Sequence, residues 1–348
     1  MFYRPSTITA ADFEHIKYLG SGTFGVVSLV QKIGGVDAGR TYALKAIKKE
    51  AVVQRKNGFK HLQNELRALK EVDGNMGVRL FYTFQTDYLF YLAMEHVEGC
   101  DLWTYIHKVC RRLTLKATQF FTAQIMLAID YLHEEQIVFR DLKPENIMVG
   151  LDGYLKLIDF GHAKMEIKTW CTKMYSVIGT IYYTAPEQLD KSQGYTKMVD
   201  WWAVGVVAYQ MFFGRLPFDS ENRKEVCRKI LEDEPYLPMQ TNKQFKEFIQ
   251  VLLRKDPNQR VGSTGKRSLM LYDFMKDVDV DAFMAKTIDP PLAKKVPSNP
   301  PDDTEAWKYD EKVKHDHFYG FDYTAPQLRS LKRPAPPDSE EVPVKRTR

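Results

Sequence analysis

Hydrophobic and polar positions change period several times along this chain, and each change predicts an element. Phe13 to Leu19 and Val26 to Gln31 are rich in β-branched and aromatic residues and flank Gly20-Ser21-Gly22-Thr23-Phe24-Gly25, which predicts two strands joined at a glycine hairpin. Thr41 to Ile47 alternates as a strand, so Ala43 and Lys45 fall on one face. Phe59, Leu62, Leu66 and Leu69 recur at helical spacing and mark an amphipathic helix. Glu65 rides on its inward face. A carboxylate on a buried face needs a cation, and Lys45 is the candidate partner. Trp201 to Phe213 is almost wholly apolar but contains Gln210 and is shorter than the roughly 20 residues of a membrane-spanning helix. It reads as a buried central helix. From Asp289 onward Pro290, Pro291, Pro297, Pro300 and Pro301 interrupt regular structure, and after Gln327 apolar periodicity ends.

Composition narrows the class. A chain of 348 residues suits two lobes better than one core, and 44% hydrophobic with 27% charged residues is ordinary for a globular protein. A net charge of +5 gives no argument for nucleic acid. Cys100, Cys110, Cys171 and Cys227 show neither metal-binding nor disulfide spacing, so a reducing, cytoplasmic compartment is expected. Cys171 reads either as redox-sensitive or as a solvated bystander. Met1 to His15 lacks the apolar core of a signal peptide, Met1-Phe2 offers no glycine for myristoylation, and no membrane association is expected.

The densest chemistry lies in Asp141-Leu142-Lys143-Pro144-Glu145-Asn146, followed by Asp159-Phe160-Gly161. Phosphoryl transfer needs metal ligands, a group to accept the hydroxyl proton and cations over the phosphates. Asp141 is the candidate base, Asn146 and Asp159 are the candidate Mg²⁺ ligands, and Lys143 is placed to meet the transferring phosphate. The glycine hairpin would let backbone approach the phosphates of ATP; its plainer reading is a structural turn. Lys45 would sit over the α- and β-phosphates; its plainer reading is a solvated strand lysine. Ala185-Pro186-Glu187 closes the following segment, and Arg260, in Leu253 to Val261, is the expected buried partner of Glu187.

These motifs occur once each and in order, and the chain resembles the eukaryotic protein kinases, specifically the AGC group of Ser/Thr kinases. The resemblance covers residues 10 to about 275. It is strongest to the cyclic-nucleotide-dependent branch, typified by the cAMP-dependent protein kinase catalytic subunit, through Asp12-Phe13-Glu14, the glycine hairpin, Gly179 to Glu187 and Val199-Asp200-Trp201-Trp202-Ala203-Val204-Gly205-Val206. It implies an α+β bilobal kinase fold, with a small β-rich N-lobe, a larger helical C-lobe and an extended C-terminal tail. The implied organisation is an N-terminal segment 1–12, a kinase domain 13–275 with N-lobe about 13–95 and C-lobe about 100–275, a tail 276–327 and a basic, Pro-rich terminus 328–348. ATP would be held by Leu19, Gly20, Ser21, Gly22, Thr23, Phe24, Gly25, Val27, Ala43, Lys45, the gatekeeper Met94, the hinge from Glu95 to Val97, Asp101, Glu145, Asn146, Met148 and Asp159. Catalysis would fall to Asp141, Lys143, Lys45 and Glu65, with Mg²⁺ on Asn146 and Asp159. An apolar spine would run through Leu69, Leu80, Phe139 and Phe160 to Asp200.

By the same resemblance Ser176 is the activating phosphosite, with Thr172 and Thr169 as rivals, and Arg140, His61 and Lys164 supply cations for its phosphate. Asp101 and Glu145 would bind arginine upstream of the acceptor in protein substrates, and Val177, Ile181 and Thr184 would line a pocket for the residue after it. Tyr182 and Gln210 replace two carboxylates of the cyclic-nucleotide-dependent kinases, and Tyr175 replaces a tryptophan that contacts regulatory subunits. Partners are therefore basic protein substrates and an activating kinase or regulatory subunit. Trp307 and Tyr309 resemble an aromatic tether, and Phe318 and Phe321 a hydrophobic motif that docks on the N-lobe; the alternative is an irregular tail. Lys332-Arg333 and Lys345-Arg346-Thr347-Arg348 have the layout of a bipartite nuclear signal or of a solvated terminus. The rival function is a catalytically inactive pseudokinase, a nucleotide-regulated binding module. Its usual mark, a missing lysine, base or metal ligand, is not found here.

Overall fold

A computed structural model describes residues 8–22, 25–169, 171–175, 179–190, 192–260, 272–298, 318 and 320–329. Thr23, Phe24, Ser176, Val177, Val261, Trp307, Tyr309 and both basic clusters lie outside these residues. The strands are β1 (Phe13–Gly22), β2 (Gly25–Lys32), β3 (Thr41–Lys48), β4 (Leu80–Gln85), β5 (Leu89–Glu95), β6 (Gly99–Asp101), β7 (Ile147–Gly150), β8 (Leu155–Leu157) and β9 (Tyr323–Thr324). The helices that matter for the site are α1 (Lys49–Gln54), α2 (Gly58–Glu71), α3 (Leu102–Thr104), α4 (Leu115–Glu134), α5 (Pro186–Leu189), α6 (Met198–Phe213), α7 (Arg223–Glu232) and α8 (Lys243–Leu252). The chain is thus α+β, with a strand-rich N-terminal part and a helical C-terminal part. No helix among the described residues is long and apolar enough to cross a membrane.

The described residues fall into two compact units, one drawn from 8–51, 80–96 and 318–329, the other from 52–79 and 97–298. In the first, an antiparallel sheet runs β1-β2-β3-β5-β4-β9. Its alternation sends Val30, Tyr42, Leu44, Tyr82, Phe84 and Ala93 into one apolar cluster. Phe13 joins them, its ring stacked on Phe84 at 5.5 Å. Two tyrosines in this core need acceptors, and Asp37 takes hydrogen bonds from both the Tyr42 and the Tyr82 hydroxyl.

The tail is ordered where it meets this sheet. Phe321 is buried and packs its ring 4.5 Å from Phe90; Phe318 packs 5.1 Å from the same ring. The Gln85 amide brackets Phe318, donating to its carbonyl and accepting from its N–H, each at 2.9 Å. β9 then pairs with β4, and Ala325 and Leu328 join the Tyr42 cluster. Sheet edges attract further strands, and here the chain's own tail fills one.

The second unit is built on α4 and α6. Nearly every side chain of α6 from Met198 to Met211 is buried, as expected of a helix apolar on all sides. α2 buries Leu62, Glu65, Leu66 and Leu69, the face read from its spacing. Three short strands, β6-β7-β8, carry the loops that hold the chemistry.

Candidate active site

In the first unit, strand register does the positioning. Val27 lies opposite Lys45, and Ala43 opposite Met94. Residues directly across an antiparallel pair share a face, so these candidates occupy adjoining rows of one surface. Glu95 ends β5. Leu19 lies at an irregularity of β1, and Gly22 pairs with Gly25 at the hairpin. A Cβ on Gly25 would stand 1.8 Å from the Ala46 carbonyl oxygen, so glycine there is required by the close approach of β3.

In the second unit, the catalytic loop lies between α4 and β7. Its turn puts Arg140 at φ 67°, a conformation that leaves backbone N–H groups outside any ladder. Buried Asp200 collects them: Phe139 N at 2.9 Å, Arg140 N at 2.8 Å, and His133 Nε2 at 2.8 Å. Buried donors are paired because desolvation makes an orphan costly. Phe139 lies edge-on to Phe160, centroids 5.3 Å apart, so the two spine residues meet as expected.

Asp141, 5% exposed, is the hub. Its Oδ2 accepts from Lys143 Nζ at 2.9 Å and Asn146 Nδ2 at 3.0 Å, with His162 Nδ1 at 3.5 Å; Oδ1 accepts from Thr180 N at 3.3 Å. Burial pushes this carboxyl up, but hydrogen bonds and charge from His162 and Lys143 outweigh it and hold it below the usual carboxylate range. Asp141 is therefore ionised at neutral pH. Lys143 also donates to Thr180 Oγ1 at 3.2 Å.

Asn146 spends its amide nitrogen on Asp141, on the carbonyl at 2.8 Å as well as on Oδ2, which leaves its amide oxygen as a candidate metal ligand. Asp159 Oδ1 accepts from Gly161 N at 3.0 Å. A Cβ on Gly161 would lie 3.1 Å from Asp159 Oδ1 and 3.6 Å from Glu65 Oε2, so both carboxylates border this glycine. Two hard oxygen donors fit Mg²⁺, which binds proteins through one or two side chains plus phosphate oxygens and water.

Asp101 caps α3: its carboxylate accepts from Thr104 N and Thr104 Oγ1, each at 2.8 Å. With one bond already on each oxygen, it is less open to a bidentate guanidinium than the sequence suggests. Glu145 is exposed, and Met148 lies opposite Asp101 across β6 and β7. Val97 belongs to this unit. Gln210 is buried, accepting from the Tyr183 hydroxyl at 2.7 Å and meeting His107 Nε2 at 3.0 Å. Burial, and then the charge of Glu145, push the Tyr183 phenol far above its usual range.

Arg260 reaches Glu187 through both terminal nitrogens, at 2.6 and 3.0 Å, as the sequence leads one to expect. The cations foreseen around an activating phosphate also cluster. Burial lowers the His61 pKa, and the charges of Arg55, Arg140, His162 and Lys164 lower it further.

Sequence reasoning missed His162, Thr180, His107 and His133. Adjacency to Asp159-Phe160-Gly161 could have flagged His162. His107 gave no usable signal, because Tyr105–Cys110 is a π-helix, whose period differs from the α-helical one used to assign faces.

Residues 13–271 match the family described as Protein kinase domain. The chain is 36% identical over 294 residues to human ribosomal protein S6 kinase alpha-6, covering 84% of this chain and 38% of that protein. Zebrafish (Danio rerio) ribosomal protein S6 kinase alpha-6 is 33% identical over 342 residues, 94% of this chain and 45% of that one. Human ribosomal protein S6 kinase alpha-2 is 33% identical over 350 residues, covering 96% and 46%. The chain spans less than half the length of these relatives.

Proposed function

We propose a function from one established premise: the chain belongs to the protein kinase domain family, in company with AGC-group Ser/Thr kinases. It transfers the γ-phosphoryl group of ATP to serine or threonine hydroxyls of proteins. The observation that carries this reading is the convergence of Lys143, Asn146, His162 and Thr180 on the ionised Asp141. Asp141 accepts a hydrogen bond from the acceptor hydroxyl and takes its proton as the new P–O bond forms and the bond from the γ-phosphorus to the departing ADP breaks. Lys143 holds its ammonium against the transferring group. Lys45 and the glycine hairpin hold the nucleotide phosphates, and Val27, Ala43 and Met94 form a wall for the adenine. Asn146 and Asp159 would hold Mg²⁺, which supplies positive charge to the phosphate oxygens.

Substrates carry arginine three residues before the acceptor more stringently than two before it. Exposed Glu145 and the remaining lone pairs of Asp101 favour a guanidinium. Near Glu145, the hydrogen-bonded chain Tyr183, Gln210, His107 stands where the cyclic-nucleotide-dependent kinases keep a carboxylate, so likeness to that branch stops at this subsite. Ser176 is the activating phosphosite, with Arg140 and Lys164 as its cations and the His61 imidazole as a further hydrogen-bonding group.

One experiment tests both levels: phosphorylation of an oriented peptide library by the purified, segment-phosphorylated chain, beside Asp159→Asn. The variant should lose ~10³-fold in rate, about 4 kcal/mol of transition-state stabilisation. Wild type no better than the variant refutes the kinase reading. Activity indifferent to upstream arginine refutes only the substrate assignment.

A further inference from the structure

Beside the catalytic loop, the activation segment rests on Gly194 and Tyr195. Met174 N donates to Tyr195 O at 2.7 Å, and Tyr195 N returns a bond to Met174 O at 2.8 Å. Lys173 Nζ reaches the Gly194 carbonyl at 3.5 Å. Gly194 has φ 65°, and a Cβ there would stand 2.7 Å from the Tyr175 ring and 2.9 Å from Met174 O, so the seat admits only glycine. The buried Tyr195 side chain points the other way, its hydroxyl accepting from Arg140 Nη1 at 3.3 Å. That guanidinium also donates from Nε to His162 O at 2.8 Å, and Arg140 precedes the hub aspartate. One tyrosine therefore touches the activation segment through its backbone and the catalytic loop through its side chain.

We propose that Tyr195 is a positioning residue that couples the seat of the activation segment to Arg140 and, through it, to Asp141. A buried guanidinium needs acceptors. A phenolic hydroxyl supplies one without neutralising the charge, so Arg140 keeps its orientation and remains attractive to an anion. This holds the loop geometry when the segment carries no phosphate. The inference rests on the kinase reading.

Tyr195→Phe in the full chain removes the hydroxyl and keeps the ring and the backbone bridge. Peptide phosphorylation should show kcat about fivefold lower, the effect of roughly 1 kcal/mol, with KM for ATP and Tm unchanged. The deficit should widen after phosphatase treatment of the segment, and trypsin should cut the native protein faster after Lys173. Gly194→Ala, which lifts the segment from its seat, should accelerate the same cleavage. Wild-type kcat in both phosphorylation states and unchanged cleavage for Tyr195→Phe overturn the proposal, as does a fall in Tm that matches the fall in kcat. An inactive wild type would instead remove the kinase reading, while the cleavage rate would still report on the seat.

Discussion

Replacing Arg260 with methionine would leave the Glu187 carboxylate, 11% exposed, without its guanidinium. The same change abandons the backbone carbonyls of Met198 at 2.9 Å and Arg254 at 2.9 and 3.1 Å. Breaking one side of a buried ion pair costs about 3–5 kcal/mol, because the remaining charge stays desolvated. Methionine restores part of the packing against Trp202, over which the guanidinium lies at 5.2 Å. The orphaned carbonyls act the other way, at about 1–3 kcal/mol each before water reaches them. A net loss of about 4 kcal/mol, or roughly 5 °C in Tm for a chain of this length, should be read by urea and thermal unfolding of the full chain through its tryptophan fluorescence. Glu187→Gln keeps one acceptor oxygen for the guanidinium and loses the other with the charge, and should cost about half as much. In the double variant the two losses should fail to add by about 2 kcal/mol. A loss under about 1 kcal/mol for Arg260→Met, or strict additivity, would show that the pair contributes only local order.

Phe321→Ala should detach the tail from the first unit, since truncating a buried phenylalanine costs about 3–5 kcal/mol; tail proteolysis at wild-type rate would place the anchoring in β9 and Leu328. Burial, then the charges of Asp101 and Cys110, push the Cys100 thiol up to about 12, so at pH 8 only about 10⁻⁴ of it is thiolate. A maleimide at pH 8 should therefore label exposed Cys171 rapidly and Cys100 only after unfolding, and prompt native labelling of Cys100 would contradict its burial. Deleting 332–348 should move a fluorescent fusion out of the nucleus if the two basic clusters act as a nuclear address, and an unchanged distribution would leave them a solvated terminus.

The elements whose periodicity matches a single buried face were legible before any coordinates. The glycine hairpin, the alternation of β3 and the α2 face that carries Glu65 follow from local sterics and apolar spacing, which a sequence states directly. The candidate site residues were nameable for a different reason: phosphoryl transfer demands particular residue types in a fixed order, and Asp141, Asn146 and Asp159 keep that order along the chain. What only the tertiary structure decided are pairings between residues distant in sequence. Lys143 and Thr180 share Asp141, Asp200 gathers two backbone N–H groups with His133, and Tyr195 spans Arg140 and Met174. None of these contacts has a local energetic signature, because each forms only after α6 and the catalytic loop have packed. The tail lies between the two cases. Phe318 and Phe321 announced an apolar anchor, but the strand beyond them required the free edge of β4, which exists only once the sheet has assembled.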